Sequence, residues 1–220
     1  VAARLHESLT GRVTHDGEVL YCLDRALILC ADHELNVSTL AVRAAASAGA
    51  DLYACVATGL HVLSGVHHGG VSARVEALLA MVARQGSAAR VVGDLLSRGQ
   101  AIPGFGHRLY PAGDPRCAAL LYLAERARRR GSGRVNRVNE LCDAMQAARQ
   151  PAPNLDLGLC ALSAALGLPR GSGGLIFAVG RLAGWVAHAF EQRAQAFILR
   201  PRARYVPSPA SSPDLSDAGS

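Results

Sequence analysis

The sequence has no long uninterrupted apolar run and no closely spaced pair of cysteines. No stretch reaches the roughly 18 apolar residues that a membrane-spanning helix requires, and the start of the chain shows no signal-peptide pattern. The cysteines have neither a CxxC motif nor zinc-site spacing; they stand at positions 22, 30, 55, 117, 142 and 160. These features predict a soluble cytoplasmic protein with free thiols and no membrane contact.

Acidic residues are fewer than basic residues, and charged residues are few overall. Of the 220 residues 18% are charged and 50% are apolar, with a formal net charge of +6. A chain of this length can bury a sizeable core. The positive net charge favours an anionic partner, either a small phosphate-bearing molecule or a nucleic acid. Because the sequence begins with Val1 rather than methionine, we expect a processed chain or a fragment.

Strand-like alternation of polar and apolar residues is also missing. Apolar residues instead recur at helical spacing, and Gly- and Pro-rich stretches separate the windows. The sequence therefore predicts an all-α fold of about nine helices, with GSGG at 171–174 as a linker and a disordered tail at 206–220. The predicted helices cover 17–34, 37–48, 50–63, 71–84, 88–97, 116–130, 134–149, 155–166 and 173–197.

Three loop motifs carry candidate catalytic side chains. SGVHHGG at 64–70 has two adjacent histidines, PGFGHRLY at 103–110 has His107 after two glycines, and PAPNLDLG at 151–158 has Asp156 in a first helical turn. Glycines let a backbone approach a ligand closely. Each motif also has an ordinary structural explanation: a histidine bonded to a carbonyl, a turn, or an N-cap. No strand precedes the glycine motif, which argues against a dinucleotide fold.

Arginines form the other candidate features. ERARRRGSGRVNR at 125–137 is the densest charged run, and a solvated helix end is its ordinary interpretation, with phosphate binding or DNA contact as alternatives. It has no interleaved aromatic residues or helix-turn-helix pattern, so nucleic-acid binding is disfavoured. Arg181 lies inside an apolar helix. A buried arginine there needs an anionic partner, because an unpaired buried charge is costly.

Taken in order, six motifs resemble the citrate synthase family. They are ADHELNVST at 31–39, SGVHHGG at 64–70, PGFGHRLYPAGDPR at 103–116, NLDLG at 154–158, GRLAGWVAH at 180–188 and RPRARY at 200–205. The match covers roughly 17–205 and corresponds to the C-terminal part of a typical family member.

The resemblance implies a two-domain helical architecture with the site in the cleft between the domains. A small domain is expected over 71–165, and a large domain over 1–70 and 166–205 that lacks its N-terminal part. A homodimer is expected as well.

The resemblance also implies a catalytic trio of His68, His107 and Asp156. Asp156 is expected to take a proton from the methyl group of acetyl-CoA, His68 to hydrogen-bond the thioester carbonyl, and His107 to polarise the ketone of oxaloacetate. A methyl group beside a thioester is a very weak acid, so the base and the oxyanion donor must act together. His67 is the alternative candidate for this catalytic histidine. His68 is the better match because Gly69 and Gly70 follow it directly.

Substrate contacts follow from the same resemblance. Guanidinium forks suit the carboxylates of oxaloacetate, and Arg200 is expected to come from the partner subunit. The matching dicarboxylate ligands are His33, Arg116, Arg181 and Arg200. Coenzyme A, a substrate rather than a permanently bound cofactor, is expected against the backbone of Pro103, Gly104, Phe105 and Gly106. No metal is implied.

Several activities are compatible with these residues. The first is condensation of acetyl-CoA with oxaloacetate to citrate and CoA; 2-methylcitrate synthesis from propionyl-CoA and citryl-CoA cleavage are the others. A non-catalytic member that binds citrate or CoA is a further alternative, against which the complete trio argues. The chain departs from the family pattern at Val66, where proline is usual, and at Cys30 and Pro111, where histidine and lysine are common.

Overall fold

The computed structural model describes residues 1–66, 68–127 and 133–204. Within these ranges it is helical and contains no strand, so the predicted all-α class is confirmed. The ten helices of this part of the chain are α1 (Ala2–Thr10), α2 (Gly17–Ala31), α3 (Val37–Ser47), α4 (Leu52–Leu63), α5 (Val71–Gln85), α6 (Ala88–Ser97), α7 (Pro115–Arg126), α8 (Gly133–Ala147), α9 (Leu155–Ala165) and α10 (Ser172–Ala194).

The structure differs from the sequence-based expectations at two places. The sequence pattern does not predict α1, a short helix that buries Ala2 and Leu5 in the main core. The linker interpretation of 171–174 is wrong from Ser172 onwards, because α10 begins there. A Cβ on Gly173 would lie 3.4 Å from the α9 backbone, so this glycine permits close packing of two helices. The predicted tail at 206–220 lies outside the described residues.

Polar side chains define where the helices around the site begin. The side chain of Asp114 accepts a hydrogen bond from the backbone N–H of Arg116 and precedes Pro115 in the first turn of α7. The side chain of Asn154 caps α9 in the same way. Similar caps come from Asp16, Asn36, Asp51 and Ser87. The caps fix the first turns of α7 and α9, which carry Arg116 and Asp156.

Two apolar clusters hold the helices together. The main cluster includes residues from 1–70 and from 71–165, with α9 buried along nearly its whole length. The small cluster joins α3, α4 and α10, and consists of Val42, Ala46, Cys55, Leu63, Trp185 and Ala189. The division of the chain into a small and a large domain stays a prediction.

Helix α10 is the central helix of this arrangement. It is the one described helix whose length and apolar composition would suffice to cross a membrane. It packs against α2, α3, α4 and α9, and it carries the fully buried Arg181. Core helices of globular proteins share this length and apolarity.

A short pairing between two loops brings distant parts of the sequence together. Phe105 and Pro153 form an isolated antiparallel bridge. The N–H of Gly106 donates to the carbonyl of Ala152 over 2.8 Å, and the N–H of Asn154 donates to the carbonyl of Gly104 over 2.9 Å. Gly104 and Gly106 have φ values of 88° and 79°, which favour glycine. This pairing positions His107 beside the start of α9.

Candidate active site

Five of the seven predicted catalytic and dicarboxylate residues line one cavity of about 80 Å³. The predicted residues there are His33, His68, His107, Arg116 and Asp156. The remaining lining residues are Gly69, Ser72, Asn154, Leu155, Gly174 and Phe177. The loops after α2, α4 and α6 therefore meet the first turns of α7 and α9 at one place, as the candidate trio requires.

Asp156 lies in the first turn of α9, where the Asn154 side chain accepts a hydrogen bond from its N–H over 3.1 Å. Its carboxylate oxygen Oδ1 accepts a hydrogen bond of 2.6 Å from the hydroxyl of Ser72 on α5. Burial raises the pKa of the Asp156 carboxyl, and the Ser72 hydrogen bond and the charge of Arg116 partly oppose this shift. A buried carboxylate with a raised pKa is a stronger base than a solvated one.

The ring of His68 is held by the hydroxyl of Ser38, with 2.9 Å between Nε2 and Oγ. Oδ1 of Asn36 accepts from the N–H and the hydroxyl of Thr39, and the Ser38 hydroxyl donates its hydrogen to the same atom over 2.8 Å. The oxygen of Ser38 therefore accepts from His68 Nε2, so the neutral ring carries its hydrogen on Nε2. Burial lowers the pKa of His68, and so does the charge of Arg181. His68 is therefore a neutral donor.

Arg116 is held in a fixed orientation by Asp114. Its Nε and Nη2 atoms donate to the two carboxylate oxygens of Asp114 over 2.9 and 2.8 Å. Asp114 also accepts from the N–H of Leu155 over 3.2 Å, so one buried carboxylate ties α7 to the start of α9. Nη1 of Arg116 donates to Nδ1 of His33. This bidentate geometry pre-orients the guanidinium for an anion.

His33 and His107 stand side by side, with ring centroids 5.3 Å apart in an edge-on arrangement. Burial and the charge of Arg116 lower the pKa of His33 to about 4, so its ring is neutral at neutral pH. Nδ1 of His107 accepts from the N–H of Leu109 over 3.2 Å. Because Nδ1 accepts in both rings, each carries its hydrogen on Nε2. Two neutral donors thus accompany one fixed cation.

Arg181 is not among the residues that line this cavity. Its guanidinium is fully buried and donates to the carbonyl of Ala31 and to the hydroxyl of Thr39. Asp32 Oδ1 lies 3.7 Å from Arg181 Nη1. The anionic partner expected for a buried arginine is therefore Asp32, assisted by backbone carbonyls.

The other predicted contact residues also lie away from this cavity. Arg200 is exposed and forms no hydrogen bond or ion pair with the described residues of this chain. Pro103, Gly104 and Gly106 are absent from the lining. Phe105 lines a neighbouring cavity of about 250 Å³, beside Pro151 and the end of α8. His67, the alternative to His68, lies outside the described residues.

Three positioning residues were not predicted from the sequence: Ser38 beside His68, Ser72 beside Asp156, and Asp114 beside Arg116. A helix-capping signal was available for Asp114, because it stands before Pro115 at the start of a predicted helix. Ser72 is 84 residues away from Asp156 in the chain, so no local pattern could have revealed their contact.

Comparison with known proteins identifies the family of this chain. The family model described as "Citrate synthase, C-terminal domain" matches residues 1–202. A citrate synthase of Haloferax volcanii is 37% identical over 187 residues, which are 83% of this chain and 49% of that protein. A 2-methylcitrate synthase of Shewanella oneidensis is 35% identical over 186 residues, which are 84% of this chain and 50% of that protein. The chain thus spans about half the length of these curated relatives.

The fold resembles a solved structure of citrate synthase from Thermoplasma acidophilum, a ternary complex with carboxymethyl coenzyme A and oxaloacetate. The TM-score is 0.81 at 29% sequence identity, and the match covers 99% of this chain and 59% of the other. The similarity therefore extends over almost the entire chain.

Proposed function

The chain belongs to the citrate synthase family, and from this premise we propose that its site condenses acetyl-CoA with oxaloacetate to give citrate and CoA. The observation that carries the proposal is the convergence of His68, His107 and Asp156 with Arg116 around one cavity. The site offers a base, two kinds of neutral hydrogen-bond donor and a cation. Enol chemistry on a thioester beside a dicarboxylate needs this combination.

In the first step Asp156 takes a proton from the methyl carbon of acetyl-CoA. The electron pair moves into the carbon–carbon bond, and the thioester carbonyl oxygen receives a hydrogen from the His68 ring as the enol forms. Burial of the Asp156 carboxyl supports this step, because the raised pKa narrows the gap to the weakly acidic methyl group. Ser72 keeps the carboxylate in position.

In the second step the enol carbon attacks the ketone carbon of oxaloacetate and forms the new carbon–carbon bond. The ketone oxygen takes the hydrogen of His107 Nε2, the enol hydrogen returns to His68, and the proton held by Asp156 passes to His107 and restores its neutral ring. Arg116 and His33 bind a carboxylate of the same substrate, with Asp114 fixing the guanidinium. Water then cleaves the carbon–sulfur bond of citryl-CoA, which gives citrate and the CoA thiol.

The proposal includes a homodimer and closure of a small domain over the site, which excludes water during condensation. The exposed and uncontacted Arg200 is compatible with a role in a partner's site. Cytoplasmic location and CoA contacts at 103–106 belong to the same proposal. The cavity beside Phe105 has room for an uncharged part of CoA.

The test is loss of thioester ultraviolet absorbance when the purified chain meets acetyl-CoA and oxaloacetate. Thiol reagents are unsuitable because the chain has six cysteines. Turnover that Asp156→Asn abolishes supports the synthase, whereas turnover unchanged by that substitution contradicts the assigned base. If a folded chain shows no turnover, stabilisation by citrate identifies a member that binds without catalysis.

A second candidate is 2-methylcitrate synthesis, which the similarity to the Shewanella oneidensis enzyme favours. It differs only in the acyl group, because propionyl-CoA replaces acetyl-CoA. Comparing kcat/KM for the two thioesters distinguishes these activities, and adding citryl-CoA alone tests for cleavage in the reverse direction.

A further inference from the structure

A second cavity lies further along α5 and α9, beyond the candidate active site. It has a volume of about 290 Å³ between α5, α8, α9 and the loop before α10, and it shares no lining residue with the active-site cavity. Its apolar surface comes from Leu79, Ala80, Ala83, Cys160 and Ala164. Its basic surface comes from Arg84, Arg134, Arg137 and Arg170. We refer to it as the arginine cavity.

Positive charge in the arginine cavity is mostly uncompensated. Among the described residues, Glu76 is the one acid in the lining, and it is already engaged by Arg170 Nε at 3.6 Å and by the N–H of Gly171 at 2.7 Å. Arg84, Arg134 and Arg137 form no hydrogen bond or ion pair in the described part of the chain. Three guanidinium groups therefore face one cavity without a counter-charge.

A buried hydroxyl provides independent support for a ligand. Ser163 is 4% exposed, lines the cavity, and its Oγ atom has no hydrogen-bond partner among the described residues. Nε of Arg137 is buried without a partner in the same way. Buried polar atoms in folded proteins are almost always hydrogen-bonded. Two such unpartnered atoms in one cavity indicate that a bound molecule supplies the missing partner.

We propose that the arginine cavity binds a small phosphorylated organic molecule. The phosphate oxygens pair with Arg84, Arg134 and Arg137, and an uncharged part of the ligand packs on Leu79 and its apolar neighbours. The chain has no lysine; all 23 of its basic residues other than histidine are arginine. Guanidinium forks match the geometry of phosphate oxygens, and the apolar surface favours an organic phosphate over inorganic phosphate alone.

Isothermal titration calorimetry of the whole chain with ATP as the probe tests this proposal, in the absence and presence of saturating CoA. We expect one ATP per chain, binding that persists when CoA is present, and weaker binding at high salt. The double variant Arg84→Gln/Arg137→Gln should weaken binding by at least about tenfold. Ser163→Ala should weaken it by a few-fold, and it should fold normally because the lost hydroxyl has no partner.

Arg90→Gln is the matched control, since Arg90 is an exposed helical arginine that does not line the cavity. ATP binding that the double variant does not change, that CoA displaces completely, or that is absent overturns the proposal. If tripolyphosphate binds as tightly as ATP, the proposed contact between an organic group and the apolar surface is contradicted. If citrate binds and ATP does not, the proposed preference for a phosphate group is contradicted. Heat of binding does not depend on turnover, so failure of the proposed synthase activity is a separate result.

Discussion

The two walls of the active-site cavity carry charge in different ways. One wall, which we call the anion wall, presents His33 and Arg116 to the cavity; Asp114 supports it through a buried bidentate ion pair with Arg116. The other, the proton wall, has His68 and Asp156, each bonded to a serine hydroxyl. Burial shifts the pKa of both of these groups toward the neutral form. The fixed charge of the anion wall can bind an anion. The groups of the proton wall can gain or lose a proton, so the anion wall is suited to substrate binding and the proton wall to proton transfer.

Asp156→Asn should break the proton wall most completely. The amide keeps the shape but cannot accept a proton, so kcat should fall by about 10²–10⁴-fold with oxaloacetate binding retained. The free energy of unfolding at neutral pH should rise, because the raised pKa of Asp156 shows that its charged form is disfavoured in the folded state. Kinetics by thioester absorbance and urea unfolding measure both effects. If the variant is less stable than the unsubstituted chain, misfolding would explain its lost activity.

Asp114→Asn should break the anion wall. It leaves the Arg116 guanidinium without its buried counter-charge, and removing one partner of a buried pair costs about 3–5 kcal/mol. We expect a large loss of stability and a raised KM for oxaloacetate, with kcat affected less. Asp51→Asn is the control, because Asp51 caps α4 without pairing to an arginine. Equal losses in both variants would mean that Asp114 acts only as a cap.

His68→Ala should remove one oxyanion donor from the proton wall. Losing such a donor costs about 2.7–4 kcal/mol of transition-state stabilisation, so kcat should fall while the KM for oxaloacetate changes little. Steady-state kinetics with both substrates varied separately measures this. A rise in the KM for oxaloacetate with unchanged kcat would place His68 in dicarboxylate binding instead.

Ser72→Ala should tune the proton wall without removing it. The Ser72 hydrogen bond lowers the pKa of Asp156, so its loss should raise that pKa further and move the acidic limb of the kcat profile to higher pH. The plateau rate should change by only a few-fold, in line with about 0.5–1.5 kcal/mol for one hydrogen bond. Ser97→Ala, an exposed helical control, should leave the profile in place. An unshifted profile would limit Ser72 to packing.

Substitution of His33 should have the smallest effect, and it tests the anion wall through the pH dependence of the free energy of unfolding. Its pKa is about 4 in the folded chain against an ordinary value of 6.5. Between these values the unfolded chain binds a proton that the folded chain does not, so the free energy of unfolding should fall as the pH drops from 6.5 to about 4. His33→Asn should reduce this slope in urea titrations at several pH values. A slope identical in both proteins would contradict the proposed burial of a neutral His33.

Loops and helix starts could be predicted from the sequence because their signals are local. His107 and Asp156 stand beside glycine and proline breaks that mark loops and helix starts, and α9 was recognisable from its apolar run. Prediction failed where the answer depends on tertiary contact. The Ser38 and Ser72 hydroxyls contact side chains from distant segments, and the partners of Arg181 include backbone carbonyls 147 and 150 positions away in the chain. The residue types at these positions do not predict such contacts.

The packing of α10 on α4 has a spectroscopic consequence. Trp185 is the only tryptophan in the sequence; it is fully buried in the small cluster, where a Cβ on Gly59 would stand 2.8 Å from its indole ring. Its fluorescence therefore reports on α3, α4 and α10, whereas circular dichroism averages over all ten described helices. Following both signals in one urea titration will show whether the small cluster unfolds together with the main cluster or separately from it.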